Sequence, residues 1–393
     1  MYKKASLLFL VALTYSCSSD DSSNYIEIDP YAAMTATFDG NINPESLYNY
    51  ANQTIPGYIT KDNTAGNSIT NKGATLGRVL FYDKNLSSNN TISCSSCHQQ
   101  ANAFGDTNIA STGVNGTTGR HSMRLINTRF ANETRFFWDE RAVNLETQTT
   151  MPIKDHGEMG FSGENGDLSF NDLITRLSAI GYYKELFKFV YGTEEITEVK
   201  IQNALAQFIR SIQSFDSKYD TGRALATNDG QPFSNFTAQE NQGKNLFLTP
   251  PIFNSSGVRT GEGLGCGGCH RAPEFDIDPN SLNNGIIGTI AGTGIDTGIT
   301  RSPSLRDLVK TDGTTNGPMM HTGVITTLQA AIGHYGTINI APGNNNLDPR
   351  LTPGGVGQQL NLTATEVNAV IAFLRTLSGT DVYTNAKWSN PFN

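Results

Sequence analysis

Four of the five cysteines in this chain stand in two copies of one pattern, Cys94-Ser95-Ser96-Cys97-His98 and Cys266-Gly267-Gly268-Cys269-His270. Thiols at i and i+3 share one face of a helical turn. The histidine directly after each second thiol sets an imidazole beside that face. The arrangement suits covalent attachment of a haem: two thiols add to its two vinyl groups, and the imidazole becomes an axial iron ligand. Two zinc half-sites would have to meet in space, and would leave the histidines unexplained. A thioredoxin-like motif needs a strand–helix context that neither copy has. Two structural disulfides suit an oxidising compartment but have no use for the histidines. The pattern therefore points to two covalent haem c groups, attached at Cys94, Cys97, Cys266 and Cys269, with His98 and His270 on the irons.

These residues need elements to hold them. The chain has 393 residues, enough for two domains of about 150 residues plus tails. Its hydrophobic content of 37% permits globular folding. A formal charge of −8 makes it a poor binder of phosphate backbones, which argues against nucleic acid as a partner. Lys3 and Lys4 precede a short apolar run from Leu7 to Leu13, then Leu13-Thr14-Tyr15-Ser16-Cys17. This reads as a bacterial lipoprotein signal over 1–16, lipidation of Cys17 and a flexible tether over 17–24. The expected location is the periplasm or cell surface, held to the membrane by the lipid alone. Nothing later is apolar for long enough to span a bilayer.

Residues 25–73 read as a polar N-terminal extension that lays aromatics such as Tyr31, Phe38, Tyr48 and Tyr58 on the body. A short helix is predicted over 74–82, before the first haem segment; 99–121, rich in Gly, Asn and Thr, reads as loop. Helical spacing recurs in Phe170, Leu173, Ile174 and Leu177, and again in Ile201, Leu205, Phe208 and Ile212. Thr237-x-x-Glu240 is a capping-box pattern, placing a domain start near 236, after the turn-rich Asn228-Asp229-Gly230-Gln231-Pro232. Residues 251–300 are Gly-rich and irregular. Thr363-x-x-Glu366 opens a last helix that Ser378-Gly379 ends. The expected fold is mainly α: two helical domains with long irregular loops, 74–235 and 236–380, one haem each, and a tail over 381–393, each domain cytochrome c-like by the resemblance that the longer motifs carry. The two haem segments are the only internal echo visible in this reading.

Longer motifs carry a resemblance. Leu76-Gly77-Arg78-Val79-Leu80-Phe81-Tyr82-Asp83, Ile92-Ser93-Cys94-Ser95-Ser96-Cys97-His98 and Phe137-Trp138-Asp139-Glu140-Arg141-Ala142 resemble the bacterial di-haem cytochrome c peroxidases and their MauG-type relatives. So do Glu158-Met159, Ser302-Pro303-Ser304-Leu305-Arg306, Met320-His321-Thr322-Gly323 and His334-Tyr335, in order from about 74 to 378. The resemblance implies a peroxide-reactive N-terminal haem and an electron-transferring C-terminal haem. It implies that Glu158 is the acid/base, that Gln148 orients peroxide or water, that Pro152 shapes the pocket, and that Trp138 relays electrons between the haems. Trp388, the other tryptophan, reads as packing.

The sequence also departs from the better-known peroxidases of this kind. Many hold a second histidine ligand in a loop that here reads Ser111-Thr112-Gly113-Val114-Asn115-Gly116-Thr117-Thr118, without histidine. His121 aligns with an asparagine that binds an interdomain calcium in relatives, which argues against a calcium site here, though Asn316 and Pro318 still offer carbonyls. His156, two residues before Glu158, is either a tuner of that pocket or a solvated loop residue. The sixth ligand of the second iron falls on Tyr335, as in MauG-type enzymes, with His334 as rival and Met319 and Met320 set aside as a helix away. The resemblance implies reduction of hydrogen peroxide to water, with electrons from a small cytochrome c or cupredoxin. Two alternatives remain: MauG-type oxidation of a partner protein or small molecule, and a pure di-haem electron carrier.

Overall fold

In the computed structural model, residues 29–132, 135–277 and 280–392 are described. The expected signal peptide, Cys17 and the tether over 17–24 lie outside them. Eleven α-helices run in chain order among the described residues: α1 (Ala32–Phe38), α2 (Asn71–Tyr82), α3 (Cys94–Cys97), α4 (Leu145–Thr150), α5 (Phe170–Ser178), α6 (Gly181–Tyr191), α7 (Glu198–Ser211), α8 (Lys218–Leu225), α9 (Ala238–Leu248), α10 (Leu328–Gly336) and α11 (Ala364–Arg375). Strands are scarce: β1 (Pro251–Phe253) pairs antiparallel with β2 (Arg259–Glu262), and β3 (His270–Arg271) with β4 (Asp276–Ile277).

Local chemistry explains the helix starts. Thr70 caps α2 by accepting from Gly73 N, which sets its start three residues ahead of the expected 74. Reciprocal capping boxes open α9 at Thr237 and Glu240, and α11 at Thr363 and Glu366, as the sequence pattern predicts. The apolar stripes of α5 and α7 are buried at Leu173, Leu177, Ile201, Leu205 and Phe208.

Two clusters of buried side chains form. The first joins α2, α6 and α7 through Leu76, Leu80, Phe81, Leu186, Phe187 and Phe208. The second joins α9 and α11 through Leu246, Phe247, Val370, Phe373 and Leu374, and already takes in Tyr219 of α8 and Phe233, ahead of residue 236. Each rests on a helix crossing with a glycine at its centre. A Cβ on Gly77 of α2 would lie 2.0 Å from the Ala204 carbonyl oxygen of α7; one on Gly243 of α9 would lie 1.9 Å from that of Ala369 in α11. Only a glycine lets the backbones approach this closely. The surrounding sequences match, Gly77-Arg78-Val79-Leu80-Phe81 and Gly243-Lys244-Asn245-Leu246-Phe247. The haem segments are thus not the only internal echo: each follows a helix built on the same five-residue pattern.

The ends of the chain fasten this frame. Met34, Phe38 and Tyr50 of the extension sink into the first cluster, as do Val382 and Trp388 of the tail. Trp388 is buried and its Nε1–H donates to Ser211 Oγ at 3.3 Å, the packing role expected of it. Lys61 reaches Glu274 beyond the second haem motif at 2.9 Å.

Candidate haem cavities and the residues between them

The first Cys-x-x-Cys segment is α3, one helical turn whose capping box ties Ser93 to Ser96 and brings Cys94 and Cys97 to one side. All four described motif cysteines are free thiols. Burial pushes Cys94 up to about 12 and Cys97 up to about 11, so both are protonated at neutral pH. His98 is oriented by a tight turn. Ala103 (φ +54°) and Phe104 (φ +57°) take left-handed conformations that non-glycine residues rarely adopt. Their turn sets the Phe104 carbonyl 3.2 Å from His98 Nδ1. Nδ1 therefore donates, leaving Nε2 with a lone pair for a metal. Burial lowers the imidazole pKa to about 4, keeping it neutral and competent as a ligand.

His98 borders a cavity of about 570 Å³, which Gln148, Pro152, Glu158, Trp138 and Arg301 also line. Cys94 and Cys97 line a smaller cavity of about 70 Å³ that His98, Gln148, Pro152 and Glu158 also border. Gln148 sits on α4, whose start Asn144 caps by accepting from Thr147 N at 2.8 Å; Leu145 and Thr149 bury other positions of that helix. Glu158 lies in a turn held by Asp155, whose Oδ1 accepts from Gly157 N at 2.8 Å and from Glu158 N at 3.0 Å. Burial, with the Asp155 carboxylate adding to it, raises Glu158 from 4.5 to about 7 against the pull of Arg141. His156 turns away. Its Nδ1 pairs with Asp167 at 2.9 Å on the exposed side of the same turn.

The second motif is a 3₁₀ turn over Cys266–Gly268, followed by Cys269 and by His270 at the start of β3. Its cavity is lined by Cys266, His270, Met319, Met320, Tyr335 and apolar side chains of α9, α10 and α11. Burial lowers His270 to about 4 and raises Cys266 to about 12. Burial, with the nearby Cys269 thiol, also holds the Tyr335 phenol well above its ordinary range. His334 is engaged elsewhere, its Nε2 lying 2.9 Å from the Asn284 carbonyl. Met319 and Met320, set aside from sequence distance, line the same cavity as Tyr335; the loop ahead of α10 folds back and brings them there.

Trp138 borders both cavities. It is buried, and its Nε1–H donates to the His121 carbonyl at 2.7 Å. The His121 ring faces the Asn108 carbonyl, with Nδ1 at 3.0 Å. Sequence reading missed Arg124, which also borders both cavities. Its Nη2 donates to the Ser304 carbonyl at 3.0 Å, while its buried Nε has no protein partner. A lone arginine in a loop carries no sequence signal for this. Paired free thiols, a neutral imidazole beside each pair, the apolar walls of the second cavity and an orphaned guanidinium N–H fit a haem in each cavity, with the N–H suited to a haem carboxylate. Among the described residues, no group of three or more His, Cys, Asp or Glu side chains is arranged to hold a bare metal ion. No described helix is long and apolar enough to cross a membrane.

Comparison with known proteins agrees with this geometry. The family model for di-haem cytochrome c peroxidase matches residues 71–228. Methylamine utilization protein MauG of Methylophilus methylotrophus is 28% identical over 322 residues, covering 80% of this chain and 84% of that protein. Cytochrome c551 peroxidase of Nitrosomonas europaea is 28% identical over 320 residues, covering 78% and 80%. Among solved structures, a MauG-like protein associated with microbial copper homeostasis superposes with a TM-score of 0.65 at 28% identity, over 86% of this chain and 99% of that one. The diheme peroxidase BthA from Burkholderia thailandensis shares the fold, with a TM-score of 0.61 at 20% identity over 84% of this chain and 90% of that one.

Proposed function

We propose, from the match of residues 71–228 to the di-haem cytochrome c peroxidase family model and the similarity to MauG, that the chain is a member of that family and reduces hydrogen peroxide to water with electrons from a small redox protein. One observation carries the reading: Glu158 and Gln148 converge on the cavity that His98 borders, and Glu158 is poised at about 7. A general acid/base works best with a pKa near the working pH.

Two electrons and two protons convert one peroxide to two waters. Haem, when bound, would supply the electrons and the iron at which peroxide reacts. The Glu158 carboxylate takes the proton from one peroxide oxygen and returns it to the other, the oxygen that leaves as water. The Gln148 amide orients the peroxide by hydrogen bonding, and Pro152 limits where it sits. Trp138 fills the space between the cavities with an indole whose N–H is held by a neutral carbonyl, a position suited to passing electrons. Cys94, Cys97, Cys266 and Cys269 attach the haems, and His98 and His270 take the irons. Tyr335, which lines the second cavity, would be a further ligand of the second iron.

The finer assignments belong to the same proposal. The domains are 74–235 and 236–380, the donor is a small cytochrome c or cupredoxin, and Cys17 carries a lipid that holds the protein to the bacterial envelope. A second reading, MauG-type oxidation of a partner protein or small molecule, draws support from Tyr335 at the second cavity and from the similarity to MauG. Steady-state turnover of the holoprotein with hydrogen peroxide and a reduced small cytochrome c tests the first reading. Sustained cytochrome oxidation coupled to peroxide loss supports it; peroxide reactivity with no turnover of any small redox donor overturns it in favour of the second.

A further inference from the structure

The segment without a histidine, 111–118, is not a slack loop. It closes on itself through a Thr112–Thr117 bridge, with Thr118 N donating to the Ser111 carbonyl at 2.9 Å and Gly113 N to that of Gly116 at 2.9 Å. Its tip lies along the turn that carries Glu158. Val114 N donates to the Glu158 carbonyl at 2.9 Å, Asn115 N to the Gly157 carbonyl at 3.2 Å, and Asn115 Nδ2 to the His156 carbonyl at 2.9 Å. Three successive carbonyls are thus held by one loop, while Asp155 holds the Glu158 amide from the other side.

Gly113 makes this approach possible. A Cβ there would lie 2.1 Å from the Gly157 carbonyl oxygen and 2.8 Å from Glu158 Cα. Both are backbone atoms, so no side-chain rotation could relieve the clash. The φ of Gly113 is not positive; space, rather than conformational freedom, demands a glycine. The base of the loop is anchored on the His98 side of the cavity. Ser111 Oγ donates to Asp106 Oδ2 at 2.5 Å and lies 2.7 Å from Ser122 Oγ. Asp106 directly follows Gly105, which pairs with Gln99 around the turn that orients His98.

We propose that the 111–118 loop is a rigid spacer that fixes the Glu158 backbone relative to the His98 side of the cavity, and that Gly113 is its positioning residue. The proposal rests on the acid/base reading of Glu158. A reacting group displaced by about 1 Å can lose up to about 100-fold in rate. Placement, unlike chemical identity, can be removed without touching the carboxyl.

The test uses the holoprotein and a double-mutant cycle. Gly113→Ala should keep both haems and lower peroxide kcat about 10- to 100-fold. It should also move the midpoint of the pH dependence of kcat/KM that Glu158→Gln removes altogether. In the Glu158→Gln background the same glycine change should cost less than about 2-fold, because a misplaced carboxyl that is already absent cannot matter. An equal loss in both backgrounds would make Gly113 merely structural and overturn the proposal, as would wild-type kinetics in Gly113→Ala when Glu158→Gln is inactive. Near-normal turnover in Glu158→Gln would instead fail the acid/base reading itself. Should Gly113→Ala lose haem, Asn115→Ala and amide hydrogen exchange decide. Asn115→Ala should give a smaller loss that Glu158→Gln likewise masks, with exposed Thr384→Ala, far outside the loop in sequence, as an unchanged control. In the wild-type holoprotein the Val114 and Asn115 amides should exchange slowly; rapid exchange at both, or no effect of Asn115→Ala, would refute a rigid spacer.

Discussion

Replacing Glu158 with glutamine should move activity and stability in opposite directions. Glutamine keeps the shape and removes the titration. As the proposed proton acceptor the carboxylate must be ionised, so wild-type kcat/KM for peroxide should climb about tenfold per pH unit below 7 and level off above it. The variant should lose this limb and about 10²- to 10⁴-fold of the rate. Stability follows from the same shift. The folded-state pKa of about 7 lies above the ordinary 4.5, because burial and Asp155 penalise the charge. The folded protein therefore holds this proton more tightly than the unfolded chain does. The resulting stability is fully present below 4.5 and is lost as pH rises through 7. At about 1.4 kcal/mol per pH unit the gap is worth at most about 3 kcal/mol, and about 1 to 2 kcal/mol after allowing for the solvent-facing edge of a half-buried group. Glu158→Gln should thus raise the urea midpoint of the holoprotein at pH 8 and leave it nearly unchanged at pH 4. Steady-state peroxide assays across pH and paired urea titrations measure both effects. A variant that loses stability at pH 8 along with its activity would mark Glu158 as a structural residue. Retention of the pH limb would assign that titration to another group.

Three further outcomes test the rest of the site. Denatured protein should be heavier than the mature polypeptide by two haems, with none released into acid–acetone; a shift of one haem or none refutes covalent attachment at both motifs. Cyanide or peroxide should perturb the resting ferric spectrum without prior reduction, since 111–118 offers no histidine to the first iron; an unreactive low-spin state would point to a hidden ligand, with His121, which lines the same cavity as His98, the first suspect. A phenolate is a harder donor than a thioether and favours ferric iron, so Tyr335→Met should raise the potential of the second haem. An unchanged potential in Tyr335→Phe, or a methionine–iron charge-transfer band in the native protein, would refute ligation by Tyr335 and turn attention to Met319 or Met320, which line the same cavity.

Much of this molecule was legible in its residues because the signals are local. Cys-x-x-Cys-His is a covalent requirement written over five positions. The capping boxes at Thr237 and Thr363 are hydrogen bonds between residues three apart, so they mark helix starts without reference to anything distant. The repeated Gly-[Arg/Lys]-x-Leu-Phe pattern is equally local, but nothing in the sequence alone says that a helix crossing needs a missing Cβ. What the fold decided depends on atoms far apart along the chain. Met319 and Met320 sit 16 and 15 positions from Tyr335, yet share its cavity because the loop before α10 doubles back. Arg124 keeps an unpartnered N–H at the wall of both cavities, which no motif encodes. The missing loop histidine could be read directly; that the same loop grips three carbonyls around Glu158 could not. Backbone groups carry no sequence identity, so a contact made by carbonyls and amides, through a glycine chosen for the atom it lacks, becomes visible only when the two segments are brought together.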